Sequence, residues 1–122
     1  DGYDYALTHI YDQYREIKSL QQYEAFRQTR FEGAPYTRLI FGHTHRQGIR
    51  HLSDDLLWAN PGSVSYRRPD DLDQTAHYAT ITDGALSLSR ISYDHSVLFA
   101  ITQGLKLNEN ERKHQWAWGP RS

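Results

Sequence analysis

Two apolar runs that each break into a tight, chemistry-bearing turn constrain this chain most. Leu39-Ile40-Phe41 opens directly into Gly42-His43-Thr44-His45, and Leu56-Leu57-Trp58-Ala59 opens into Asn60-Pro61-Gly62-Ser63. A short apolar run bounded by turn residues reads as a buried strand. Sites in open α/β sheets form where such strands end. Two imidazoles two residues apart at a strand end can aim at one point, and imidazole suits zinc, iron, manganese and similar divalent ions. Gly42 lets the backbone bend tightly there. Taken alone, His-x-His is equally compatible with two surface imidazoles in a turn.

Segments on either side supply the rest of the pattern. Tyr3 to Thr8 reads as a short strand ending at His9, so His9 stands to its strand as His43 stands to its own. If the two strands are sheet neighbours, three imidazoles lie along one edge. From Tyr11 to about Arg30, apolar residues recur at Tyr11, Tyr14, Ile17, Leu20, Tyr23 and Phe26. That spacing predicts an amphipathic helix with a core stripe, Asp12 near its start and Gly33 and Pro35 at its end. Thr37 to Phe41 and Gln47 to Leu52 read as strands. Asp83-Gly84 lies between two alternating runs, Ala76 to Thr82 and Leu86 to Tyr93, which is a strong hairpin signal. Ser96 to Leu105 reads as a short helix, and the segment from Asn108 onward is polar apart from Trp116 and Trp118. The order is an α/β start followed by a largely β second part, with residues 1–93 as one unit and residues 94–122 as an extension.

Composition excludes several classes. The chain has 122 residues with 14 basic and 15 acidic side chains, a net charge of −1. Such a balance carries no electrostatic footprint for nucleic acid or an anionic membrane. There is no cysteine, so disulfide and thiolate-metal sites are excluded. No apolar stretch approaches the roughly 20 residues of a bilayer span. These features fit a cytoplasmic protein. Methionine is absent and the chain begins at Asp1, which points to a piece of a longer polypeptide.

Thr8-His9, Phe41-Gly42-His43-Thr44-His45 and Asn60-Pro61-Gly62-Ser63 together resemble the last motifs of the calcineurin-like metallophosphoesterase superfamily, in particular its small bacterial and archaeal phosphodiesterases. The resemblance runs from about Tyr3 to Tyr93. It implies an α/β fold, part of a four-layer α/β/β/α sandwich, with two divalent metal ions (Mn, Fe, Zn, Ni or Co) at the strand ends. It implies metal ligation by His9, His43 and His45: His9 and His43 on one ion, His45 on the other. It also places the Asn-Pro-Gly-Ser turn and the following arginines near a phosphate-ester substrate. Asn60, Gly62, Arg67 and Arg68 are thereby candidates for substrate binding, Arg67 and Arg68 being equally compatible with a plain surface pair. The implied activity is phosphodiester or phosphomonoester hydrolysis by a metal-activated water.

The same family uses an early Asp-x-His, a Gly-Asp and an Asn-His, and none of the three occurs in this sequence. In place of the glycine that often follows the first ligand histidine stands Ile10. The resemblance is therefore to the C-terminal portion of such an enzyme, inactive alone and partnered by the N-terminal half of the domain. A scaffold or binding module of the same fold is the alternative. Trp116 and Trp118 offer contacts for that other half or for a second subunit in a homo-oligomer. Among other polar residues, His51, His95, His114 and the aspartates at 54, 55, 70, 71 and 73 are expected in solvent. His77 is expected to pack within its strand.

Overall fold

The computed structural model describes residues 5–8, 15–64 and 74–112. The first strand, β1 (Tyr5–Thr8), is followed by helix α1 (Leu20–Phe31) and strand β2 (Arg38–Phe41), which pairs parallel with β1. Strands β3 (Gly48–His51) and β4 (Leu57–Asn60) complete a four-stranded sheet of order β1-β2-β4-β3. Within it β4 runs parallel to β2, and β3 runs antiparallel to β4. Strands β5 (Ala76–Thr82) and β6 (Ala85–Ile91) form a separate hairpin. Helices α2 (His95–Gly104) and α3 (Glu109–Arg112) follow. The architecture is mixed α/β, as the sequence predicts.

The first helix is shorter than its apolar spacing predicts. Ser19 caps it, its Oγ accepting from the Gln22 amide at 3.2 Å, while Gln22 Oε1 accepts from the Lys18 amide at 2.7 Å. This reciprocal arrangement is a variant of the capping box and fixes the helix start. Tyr11 and Tyr14 lie outside the described residues. Ile17 is fully buried, but in non-helical backbone, and its carbonyl accepts the indole N–H of Trp58. The helix begins only beyond this tertiary bond, at the Ser19 cap. Leu20, predicted as core, is exposed at the first helical position. At the other end Glu32 and Gly33 take positive φ (53° and 75°), and Arg27 donates to the Gly33 and Ala34 carbonyls at 3.0 and 2.9 Å. The predicted stop at Gly33 and Pro35 is thus observed.

The core joins Ala6, Ile17, Tyr23, Leu39, Phe41 and Trp58, with the Phe41 and Trp58 rings 4.8 Å apart. All four residues of β4 are buried, as expected of a strand inside a largely parallel sheet. Tyr23 donates its hydroxyl to the Tyr36 carbonyl at 2.9 Å, and burial raises its phenol pKa above the ordinary value. The Trp58 indole bond makes one test of the core direct. Trp58→Phe removes the donor, shrinks the side chain and leaves the Ile17 carbonyl unsatisfied, so urea denaturation should show a loss of about 1–3 kcal/mol.

Asp83 and Gly84 both take positive φ (50° and 76°), so the β5–β6 turn is of the mirror-image type that the Asp-Gly pair predicts. The hairpin is fastened to the sheet near both of its ends. At its tip, the Gly84 carbonyl accepts from the Tyr5 hydroxyl at 2.9 Å and from the Arg38 guanidinium. At its base, the His77 amide donates to the Ser63 carbonyl at 2.9 Å. Thus β5 runs the length of the sheet from the ends of its parallel strands to their beginnings. Beyond the hairpin, Asp94 caps α2 through bonds from the Ser96 amide and hydroxyl at 2.8 and 2.6 Å, which lower the Asp94 carboxyl pKa. Helix α3 occupies part of the polar segment for which the sequence predicts no element.

Candidate metal-binding turn and its braces

Parallel strands place their carboxyl ends on one edge of the sheet. Thr8 pairs with Phe41 in register, so β1 and β2 end level. In β4 the register brings Ala59 opposite Ile40, so it ends level with them too. The chain leaves β2 at Gly42 and enters β3 at Gly48, opposite Asn60. Because β4 lies between β2 and β3, residues 42–47 must cross over the carboxyl end of β4. The Gly-His-Thr-His segment is therefore an arch over the strand that carries the Asn-Pro-Gly-Ser turn.

The arch is tightly bent. The Thr44 amide donates to the Gly42 carbonyl at 2.7 Å, closing a three-residue turn centred on His43. His43 and His45 both adopt positive φ, 62° and 57°. Turns of this kind with positive φ at the centre are rare and strained. A non-glycine residue in the left-handed region costs about 1–2 kcal/mol, and such residues cluster at functional sites. Thr44 between them is buried, whereas both histidines are half-buried.

The braces come from neighbouring strands. Asn60 Nδ2 donates to the Gly42 carbonyl and to Thr44 Oγ1, each at 2.9 Å. Its Oδ1 accepts from the Gly62 amide at 2.8 Å, an Asx turn that shapes the Asn-Pro-Gly-Ser segment. Asn60 is 1% exposed. Gly62 has φ of 86°, and a Cβ there would lie 2.6 Å from His77 Cβ and 3.1 Å from Gln47 Cβ. Gln47 connects three pieces: its Nε2 donates to the Pro61, Tyr78 and Ser89 carbonyls at 3.3, 3.2 and 2.8 Å, and its Oε1 accepts from Arg90 Nε at 2.9 Å.

The structure thus brings together His43, His45, Asn60 and Gly62 of the residues the sequence singles out. His9, Arg67 and Arg68 lie outside the described residues, as do His114, Trp116 and Trp118. Asn60 and Gly62, candidates for substrate binding, have their described polar groups engaged with each other and with the arch. His51 is exposed on β3 and His77 is buried at the start of β5. Gln47 was not anticipated. Its bonds go to main-chain carbonyls and one arginine, and no spacing in the sequence marks such a residue. Among the described residues no group of three or more His, Asp or Glu is placed to hold a metal ion. Two half-buried imidazoles on a fixed arch fit one part of a mixed imidazole and carboxylate site, whose remaining donors would have to come from outside the described residues.

No family model matches the chain, and no curated protein does. Among solved structures it resembles the crystal structure of a metallophosphoesterase from Sphaerobacter thermophilus, with a TM-score of 0.59 and 18% identity. The match covers 98% of this chain and 56% of that one, so the chain spans little more than half the length of its structural relative. At that identity the likeness speaks to the fold alone. The fold of this chain is that of a calcineurin-like metallophosphoesterase, represented over part of its extent.

Proposed function

We propose that this chain supplies histidine ligands to a two-metal phosphoesterase centre that hydrolyses phosphate esters. The observation that carries the reading is the His43-Thr44-His45 arch. Its histidines occupy strained left-handed backbone above the carboxyl end of a parallel strand, in a metallophosphoesterase fold. Two such residues in one arch, one residue apart and braced by a buried asparagine, are what favour this reading.

In this reading His43 and His45, together with His9, act as neutral nitrogen donors to divalent ions. When bound, such ions polarise the phosphate oxygens and lower the pKa of a water that attacks in line. This chain's part is to hold the imidazoles at fixed spacing and to brace them from β4 and the hairpin. Arg67 and Arg68 follow the Asn-Pro-Gly-Ser turn and suit a bidentate grip on phosphate oxygens. Carboxylate ligands come from the preceding half of the domain, the partner this reading requires. Nitrogen and oxygen donors accept manganese, iron, zinc, nickel or cobalt. A cytoplasmic location belongs to the proposal, and no described helix is long and apolar enough to cross a membrane.

Metal removal tests the reading. The full polypeptide, freed of metal by a chelator, should lose hydrolysis of a chromogenic phosphodiester and recover it with Mn2+, binding about two ions per chain. A chelated protein that keeps its full rate would refute the proposal.

A further inference from the structure

We propose that Asn60 is a positioning residue that sets His43 and His45 for a divalent cation by acting through Thr44 and Gly42, and that it touches neither the cation nor the substrate. The inference rests on the metal-site reading above. It changes the role the sequence suggests for Asn60 from substrate contact to alignment.

The geometry carries it. Asn60 is the last residue of β4 and lies beneath the arch, 1% exposed. A side chain so enclosed presents no polar atom to an incoming phosphate. One amide hydrogen goes to the Gly42 carbonyl and the other to Thr44 Oγ1, both at 2.9 Å. Those two acceptors bracket His43 in sequence, and Thr44 separates His43 from His45. The side chain therefore grips the arch at the residues that alternate with the imidazoles. Its carbonyl oxygen is held in turn by the Gly62 amide at 2.8 Å, which fixes which end of the amide faces the arch. An aspartate would lack the donors, and a serine would lack the reach and the second donor. Two histidines at φ of 62° and 57° relax toward ordinary backbone unless something holds the turn, and this amide is placed to hold it.

The test uses the full polypeptide and Mn2+ alone, by calorimetry. Thr44→Val keeps the shape of the side chain and removes the acceptor. It should weaken Mn2+ binding by about 10–100-fold, the usual effect of losing a group that orients metal ligands. Thr44→Ser restores the hydroxyl and should restore the affinity. Asn60→Ala removes the Gly42 link as well and should weaken binding at least as much as Thr44→Val, and the double variant little more than Asn60→Ala alone. In metal-free protein, amide hydrogen exchange across residues 42–46 should accelerate in both single variants. Should Asn60→Ala fail to fold, the Thr44 pair decides the matter. Unchanged Mn2+ affinity in Thr44→Val and Asn60→Ala, with affinity abolished in His43→Ala and His45→Ala, would overturn the positioning role while sparing the metal site. Unchanged affinity in the histidine variants as well would overturn the metal-site reading and this inference with it. A raised KM with unaltered Mn2+ affinity would return Asn60 to substrate contact.

Discussion

His43→Ala in the full polypeptide is expected to lower kcat/KM for a phosphodiester by about a thousandfold, equivalent to roughly 4 kcal/mol of transition-state stabilisation. The substitution bears on activity and on stability separately. On the proposed function, a nitrogen donor disappears from a centre whose action depends on charge neutralisation by fixed ions. In addition, alanine at φ of 62° is no better suited to the left-handed region than histidine, so the arch keeps its strain without its ligand. His43→Gly separates these effects. Glycine adopts positive φ freely, so this variant should unfold at higher urea concentration than His43→Ala yet be equally inactive. Steady-state rates with saturating Mn2+ check the prediction. A His43→Ala rate within a few-fold of wild type would show that the arch does not serve hydrolysis.

Gly62→Ala is expected to destabilise the fold by about 2–4 kcal/mol, combining left-handed strain with overpacking. The added Cβ would meet His77 Cβ at 2.6 Å and His77 Nδ1 at 2.9 Å. His77 cannot step aside by rotation, because the nearest atom is its own Cβ and its amide is bonded to the Ser63 carbonyl. The backbone of either the Asn-Pro-Gly-Ser turn or β5 must move. Because Gly62 also donates to Asn60 Oδ1, that movement should reach the arch and weaken Mn2+ binding. Urea denaturation measures the first effect and calorimetry the second. A loss of stability below about 1 kcal/mol would mean that the turn and the hairpin slide apart freely.

Strands and turns were legible where local chemistry decides them. Asp83-Gly84 fixes a mirror-image turn because both residues tolerate positive φ, and the hairpin forms around it. The β2 and β4 runs are strands, as their apolar character predicts, β4 buried throughout and β2 at alternate residues. The start of α1 was not legible from apolar spacing, because Ile17 is buried by a tertiary bond from Trp58 and not by a helical face. The Ser19 and Gln22 pair carries the signal that was overlooked. At the site, His43 and His45 were readable from their place after an apolar run. The roles of Asn60, Gln47 and His77 were not, since they depend on which strands become neighbours, and a spacing of 14 or 18 residues carries no periodicity.

The hairpin's fastenings have a bearing on how such a protein drifts over generations. Apart from the Arg90 bond to Gln47, its described contacts with the sheet end on the carbonyls of Gly84, Ser63, Tyr78 and Ser89, and every residue type offers a carbonyl. Substitutions along the outward side of β5 and β6 can accumulate without loosening the clasp. Contacts made to main-chain acceptors tolerate change in the letters while the shape stays, which accords with a shared fold at 18% identity.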